Sequence, residues 1–198
     1  MKHLASIPLG LAVFACQASA QESVYTHVNS DTCHTVSETD EGGGYSIIQR
    51  CQGQGGWQVY FDSGEHCSRS GFSRQDTPPE GMPYGGYVGN FGGFHDVIEW
   101  RLDPEGDAFA TIHRYNSTSF DSDGEPRNNS ILIVAALRPG EGVESCHVGY
   151  VNTTGLAGGN ALAREMADGL APGFVCGDPI WIVDSAHPDL VSARRLDR

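Results

Sequence analysis

The chain of 198 residues has little positive charge: 12 lysines and arginines stand against 25 aspartates and glutamates, for a formal net charge of −13. This balance excludes a nucleic-acid-binding surface, because the chain repels phosphate. Lys2 is the only lysine. Schiff-base chemistry and the phosphate-binding lysine of a P-loop are therefore excluded for the rest of the chain. An acidic surface promotes solubility, and it would also suit a basic protein partner.

The chain also lacks a long apolar segment and a recognisable nucleophile motif. No run of residues approaches the roughly 20 that a membrane-spanning helix requires. There is no G-x-S-x-G sequence, and no serine stands with a histidine and an aspartate in a pattern typical of hydrolases. The residues predict no transmembrane segment, no activated serine and no cofactor.

Residues 1–20 have the pattern of a secretory signal peptide. Lys2 precedes an apolar run over residues 9–15, and small residues lead to a predicted cleavage site after Ala20. Cleavage leaves residues 21–198, a length typical of one globular domain. An alternative is lipid attachment at Cys16, which the bulky Phe14 disfavours. We expect a periplasmic or secreted protein.

Beyond position 20 the chain contains an odd number of cysteines: Cys33, Cys51, Cys67, Cys146 and Cys176. In an oxidising compartment most of them should pair, which leaves one unpaired. Histidines beside three of these cysteines suggest zinc or copper ligands. Adjacent residues of a strand point to opposite faces, however, so we expect no metal site. His66 and Cys67 are the only candidate ligands that we retain.

Short apolar runs separated by glycine-rich turns predict an α+β fold. It is expected to be a mainly antiparallel sheet, curled or two-layered, with one C-terminal amphipathic helix. Residues 131–137 are apolar on both faces and predict a central strand covered on two sides. The spacing of Leu162, Met166 and Leu170 predicts the helix, with Asn160 as its N-cap.

The sequence also predicts the structure of three further segments. Polar residues 116–129 predict a loop, residues 180–183 predict an edge strand, and residues 193–198 predict a frayed end.

Two predicted strands around a turn at residues 103–107 contain the best set of ionisable residues. Matching apolar positions across this hairpin places Glu99 opposite His113, with Arg101 two residues away. These residue types can perform general acid and base catalysis, so they form the candidate set of a hydrolase-type enzyme. A cross-strand ion pair on a solvated face explains them more simply, and we therefore expect no catalytic residue here.

Aromatic residues and glycines alternate over residues 84–94, which predicts a surface loop. Such a loop can stack on a sugar ring or hold a peptide. The alternative is an ordinary connection whose aromatic rings pack onto the body of the protein. The candidate binding residues are Tyr84, Tyr87, Phe91 and Phe94.

Five segments together resemble an uncharacterised family of small exported bacterial proteins. They are YTHVNSDTC (25–33), CQGQGGWQVYF (51–61), IEWRL (98–102), FATIHRY (109–115) and the segment 146–176. The family's motifs are YTDLD followed by cysteine, then CPGYGGYPV, and C-H-x-x-Y-V with N-x-L-A-R-x-x-A-D and F-x-C. This chain departs from them at His27, Asn29, Gln52 and Gln58.

The resemblance implies export, two disulfides and no established activity. It pairs Cys33 with Cys51 and Cys146 with Cys176, which leaves Cys67 as a free thiol or as a bridge between two chains. Within the last segment, His147 and Arg164 are expected to be surface positions on a structural clasp.

The favoured function is a non-catalytic periplasmic or secreted module, monomeric, that binds a partner or envelope component. Two alternatives stay open: the hydrolase described above, and an acidic inhibitor of a cationic protein such as a lysozyme.

Overall fold

A computed structural model describes residues 21–40, 44–65, 68–79, 82, 91–140 and 142–197. Mainly antiparallel strands and one C-terminal helix make up this part of the chain, which confirms the predicted α+β class. Its elements are β1 (Glu22–His27), β2 (His34–Asp40), β3 (Tyr45–Gln52), β4 (Gln58–Gly64), β5 (Ser68–Ser73), β6 (Phe91–Leu102), β7 (Ala108–Phe120), β8 (Pro126–Leu137), β9 (Ser145–Asn152), α1 (Gly159–Leu170), β10 (Ile180–Val183) and β11 (Arg194–Leu196). Short 3-10 turns span Ser30–Thr32 and Ala171–Gly173.

The strands form two sheets. The larger has seven strands in the order β1-β6-β7-β8-β9-β10-β11, and the smaller has four in the order β2-β3-β4-β5. All neighbours are antiparallel except β9 and β10, which are parallel and are connected through α1. Every residue from Ile131 to Leu137 in β8 is buried, so the prediction of a central covered strand is confirmed.

Helix α1 covers one face of the seven-stranded sheet, against β8 and β9. The buried residues of the helix are Gly159, Ala163, Met166 and Ala167. The small alanines let the helix approach the sheet closely. The N-cap residue is Gly158 rather than Asn160, which lies in the first turn; the predicted cap is therefore wrong by two residues.

The four-stranded sheet covers the opposite face. Its Trp57, Val59 and Phe72 belong to one buried cluster with Ile98 and Trp100 of β6. The rings of Phe72 and Trp100 meet edge to face with centroids 5.4 Å apart. The seven-stranded sheet is thus the middle layer of three, with the helix on one face and the second sheet on the other.

Two disulfides connect elements that adjoin in the fold. Cys33–Cys51 joins the start of β2 to β3, and Cys146–Cys176 joins β9 to the segment after α1. These are the pairs that the resemblance implied. Cross-links over 18 and 30 residues each stabilise the fold by about 3 kcal/mol in the chain-entropy treatment. Cys67, the predicted free thiol, and His66 lie outside the described residues.

Three segment predictions are wrong. The predicted loop over residues 116–129 is mostly strand, because β7 continues to Phe120 and β8 begins at Pro126. Cross-strand pairing continues there without an apolar face, so apolar spacing gave no signal. In addition, β10 is an inner strand, and part of the predicted frayed end is β11, which pairs with it.

Candidate functional site

The predicted pairing of Glu99 with His113 is wrong. In the β6–β7 ladder Glu99 lies opposite Ile112, and His113 lies opposite Ile98. The register shifts by one residue between Arg101 and Leu102, and such a slip moves every later side chain to the other face. Glu99 and Arg101 therefore face α1, whereas His113 faces the four-stranded sheet.

Glu99 and Arg101 belong to an ionic cluster whose other members, Arg164 and Asp168, come from α1. The Arg101 guanidinium donates to both Asp168 oxygens, at 2.8 and 2.7 Å. Arg164 donates to both Glu99 oxygens, at 2.6 and 3.2 Å, and this bonding raises the pKa of Arg164. The Ser23 hydroxyl contacts Arg101 and Glu99. Two positive and two negative charges therefore cancel within the ionic cluster.

The burial of this ionic cluster indicates a structural role. Only 6% of the Arg101 side chain and 10% of the Glu99 side chain are exposed. Both carboxylate oxygens of Glu99 accept hydrogen bonds from Arg164, and both of Asp168 accept from Arg101. The ionic cluster joins β6 to α1 and, through Ser23, to β1.

The expectation of a surface position is wrong for His147, whereas Arg164 keeps part of its side chain at the surface. Arg164 is held against Glu99, and its side chain is 39% exposed. His147 is buried, and its Nδ1 lies 2.8 Å from the Tyr150 hydroxyl. Arg164 and Asp168 are four residues apart, each next to a buried alanine, and that spacing was the signal that sequence reasoning missed.

His113 lies between the two sheets. Its ring centroid is 4.6 Å from that of Phe94 and 5.8 Å from that of Phe61. Its Nε2 lies 2.7 Å from the His95 carbonyl oxygen, while its Nδ1 has no hydrogen-bond partner among the described residues. Burial lowers the pKa of His113 to about 4. A neutral, enclosed imidazole on the far side of the sheet from Glu99 cannot complete a catalytic pair with it.

A depression lies at the end of the large sheet where β6 and β8 begin and β7 ends. This distal groove has a volume of about 470 Å³, and its lining includes Phe91, Asn116, Thr118, Asn128, Asn129 and Ser130. Phe91, Thr118 and Asn128 form one cross-strand row, and Asn116 pairs with Ser130 in the next. Phe91 is 53% exposed. The groove therefore offers an accessible aromatic ring beside amide and hydroxyl groups.

A smaller pocket of about 250 Å³ lies on the helix-covered face, beside the first turn of α1. Tyr25, His95, Glu99, Arg114 and Asn160 are among the residues that line it. Arg114 donates to Ser130 of the distal groove over 2.6 Å, so the two depressions adjoin.

The candidate binding loop is only partly within the described residues, and the prediction of a loop is wrong for residues 91–94, which belong to strand β6. Phe91 lines the distal groove, whereas Phe94 packs against Tyr115 and His113. Tyr84 and Tyr87 lie outside the described residues.

The described part of the chain contains no group of three or more histidine, cysteine, aspartate or glutamate residues that could bind a metal ion together. No helix there is long and apolar enough to cross a membrane. A scan against protein-family models found no match to this chain, and searches of curated proteins and of solved structures found none either.

Proposed function

We propose that this protein is an exported, non-catalytic binding module that holds a glycan in the distal groove. The observation that carries the proposal is the lining of that groove. Asparagine amides and serine or threonine hydroxyls both donate and accept hydrogen bonds, as sugar hydroxyls do. The exposed Phe91 ring offers the apolar surface on which the C–H face of a sugar stacks.

The described lining of the groove contains no acid or base group, which supports binding rather than turnover. Glycoside hydrolysis normally requires two carboxyl groups about 5–9.5 Å apart, on either side of the scissile bond. The described residues that line the distal groove include no aspartate, glutamate or histidine. The hydrolase alternative gains nothing from Glu99, because both of its carboxylate oxygens accept from Arg164.

The disulfides Cys33–Cys51 and Cys146–Cys176 are compatible with a periplasmic or secreted location, because disulfides persist in oxidising compartments. The acidic-inhibitor alternative rests on the net charge of −13 alone, and no arrangement of described residues adds to it.

Isothermal titration with neutral cello-, xylo- and chito-oligosaccharides of four to six units tests the proposal. The native protein should bind at least one series. Phe91→Ala should weaken that binding about fivefold, since an aromatic contact contributes about 1 kcal/mol. Asn128→Ala should also weaken it.

Tyr45→Ala is the matched control, because Tyr45 is another exposed aromatic residue, on β3 of the other sheet. It should leave the affinity unchanged. Equal affinity of Phe91→Ala and the native protein would disprove the role of the groove.

A further inference from the structure

Within the part of the chain that the structure describes, Arg114 is a positive charge without a counter-ion. Its guanidinium donates to the Ser130 hydroxyl at 2.6 Å, the Thr153 hydroxyl at 3.3 Å and the Asn160 side-chain oxygen at 3.0 Å. All three acceptors are neutral. No carboxylate among the described residues lies within ion-pairing distance of Arg114.

This arrangement is unusual in a chain with more than twice as many acidic as basic residues. Arg101 and Arg164 each have a carboxylate partner nearby on the same sheet face. Glu99 lines the same pocket as Arg114, but its charge is balanced by Arg164. A half-buried guanidinium that is held in place without its own anion is a built receptor for one.

The remaining donors of Arg114 match one bidentate acceptor. A guanidinium has five N–H groups, and the three hydrogen bonds above occupy both Nη1 hydrogens and one on Nη2. The Nε–H and the second Nη2–H have no acceptor among the described residues. Two donors are the number that a carboxylate takes in a bidentate pair.

The first turn of α1 adds to the attraction. It contains no acidic residue, and its N-cap, Gly158, makes no side-chain hydrogen bond. The positive end of the helix dipole therefore lies beside Arg114, which bonds Asn160 of that turn.

We propose that Arg114 is an acid-recognising subsite of the distal groove, so that the preferred glycan carries an isolated carboxylate among neutral sugars. This inference rests on the proposed function above. The Arg114–Ser130 hydrogen bond places the subsite directly beside the groove, within reach of a neighbouring sugar of the same chain. A polymer with a charge on every sugar is disfavoured, because the net charge of −13 repels it.

The test compares matched oligosaccharides that differ by one carboxylate. Suitable pairs with equal numbers of sugars are glucuronyl-xylotriose with xylotetraose, and the N-acetylglucosamine–N-acetylmuramic acid disaccharide with chitobiose. The native protein should bind the acidic member of at least one pair about tenfold more tightly, and polygalacturonate should compete poorly.

Arg114→Gln keeps hydrogen-bonding capacity and removes the charge. It should reduce the preference for the acidic member to less than twofold, chiefly by weakening the binding of that member. Asn160→Asp should do the same by supplying a competing carboxylate. Arg127→Gln is the control, because Arg127 is 68% exposed and already paired with Asp121.

Equal binding of both members of every pair by the native protein would overturn the acid subsite and leave the glycan proposal standing. Binding to neither member of any pair, nor to the neutral series, would overturn both. A preference that survives Arg114→Gln, or stronger binding of polygalacturonate than of singly charged ligands, would also refute the inference.

Discussion

Replacing Arg101 by glutamine should destabilise the protein by about 3 kcal/mol. The Arg101 side chain is 6% exposed and makes two bonds to Asp168, one to Ser23 and one to the Gln21 carbonyl oxygen. Removing one partner of a buried ion pair costs about 3–5 kcal/mol, because the other charge loses its compensation. Asp168 is 29% exposed, so water recovers part of the loss and the lower figure applies.

Urea denaturation of the oxidised protein, followed by tryptophan fluorescence, measures this change. With a urea dependence of about 2 kcal/mol per molar, the midpoint should fall by about 1.5 M. Arg127→Gln removes an exposed ion pair and should move the midpoint by less than about 0.3 M. If Arg101→Gln lowers the urea midpoint by less than about 0.5 M, the ionic cluster does not stabilise the contact between β6 and α1.

Three further predictions concern packing, pH and covalent structure. Burial lowers the pKa of His113 from 6.5 to about 4. As the pH falls, this imidazole is therefore protonated in the unfolded chain before it is protonated in the folded protein. Stability should fall as the pH drops from 6.5 to 4, by about 3 kcal/mol, and His113→Phe should flatten that part of a urea-midpoint profile. Gly149→Ala would place a methyl group against a backbone oxygen, and thermal unfolding should show that the free energy of unfolding falls by about 2 kcal/mol. Gly169→Ala is the control: it has open space around it and should stabilise α1 slightly. Replacing Cys146 and Cys176 together by serine should lower the free energy of unfolding in urea by about 3 kcal/mol.

The fold class could be predicted because each apolar segment carries its own period. The run over residues 131–137 has no polar face, so it requires cover on both sides, and β8 has that cover. The narrow stripe around Met166 predicted a helix that docks on a sheet, and α1 does so. The hydrophobic period of a segment depends only on its own residues, so it can be interpreted without knowing which elements pack against it.

The ionic cluster could not be predicted, because its members are distant in sequence. Glu99 and Arg164 are 65 positions apart, and Arg101 and Asp168 are 67 apart. Only the placement of α1 over β6 brings them together. The register of the β6–β7 hairpin was lost to one irregularity beside Leu102, and a single-residue slip reversed the face assigned to His113.

The distal groove escaped sequence reasoning for another reason. Its residues alternate along strands with no apolar face, and hydrophobic period is the signal that marks a strand. Asn116, Thr118 and Asn128 therefore appeared as loop residues, although β7 and β8 place them side by side. A strand whose two faces are both polar is therefore hard to predict from sequence, even though its polar side chains are the ones suited to binding a ligand.

The adjacency of β1 and β6 makes the four-stranded sheet an insertion within a hairpin. His27 pairs with Val97, and the Val28 amide donates to the Asp96 carbonyl oxygen over 2.7 Å, so the chain leaves the large sheet beside the middle of β6, which is paired with β7 from Phe91 onward. Excising residues 28–96 and bridging the gap would preserve every ladder of the large sheet from position 97 onward. It would also uncover Ile98 and Trp100, both now 0% exposed. The shortened chain should therefore self-associate through that exposed apolar face, because the inserted sheet is what covers it.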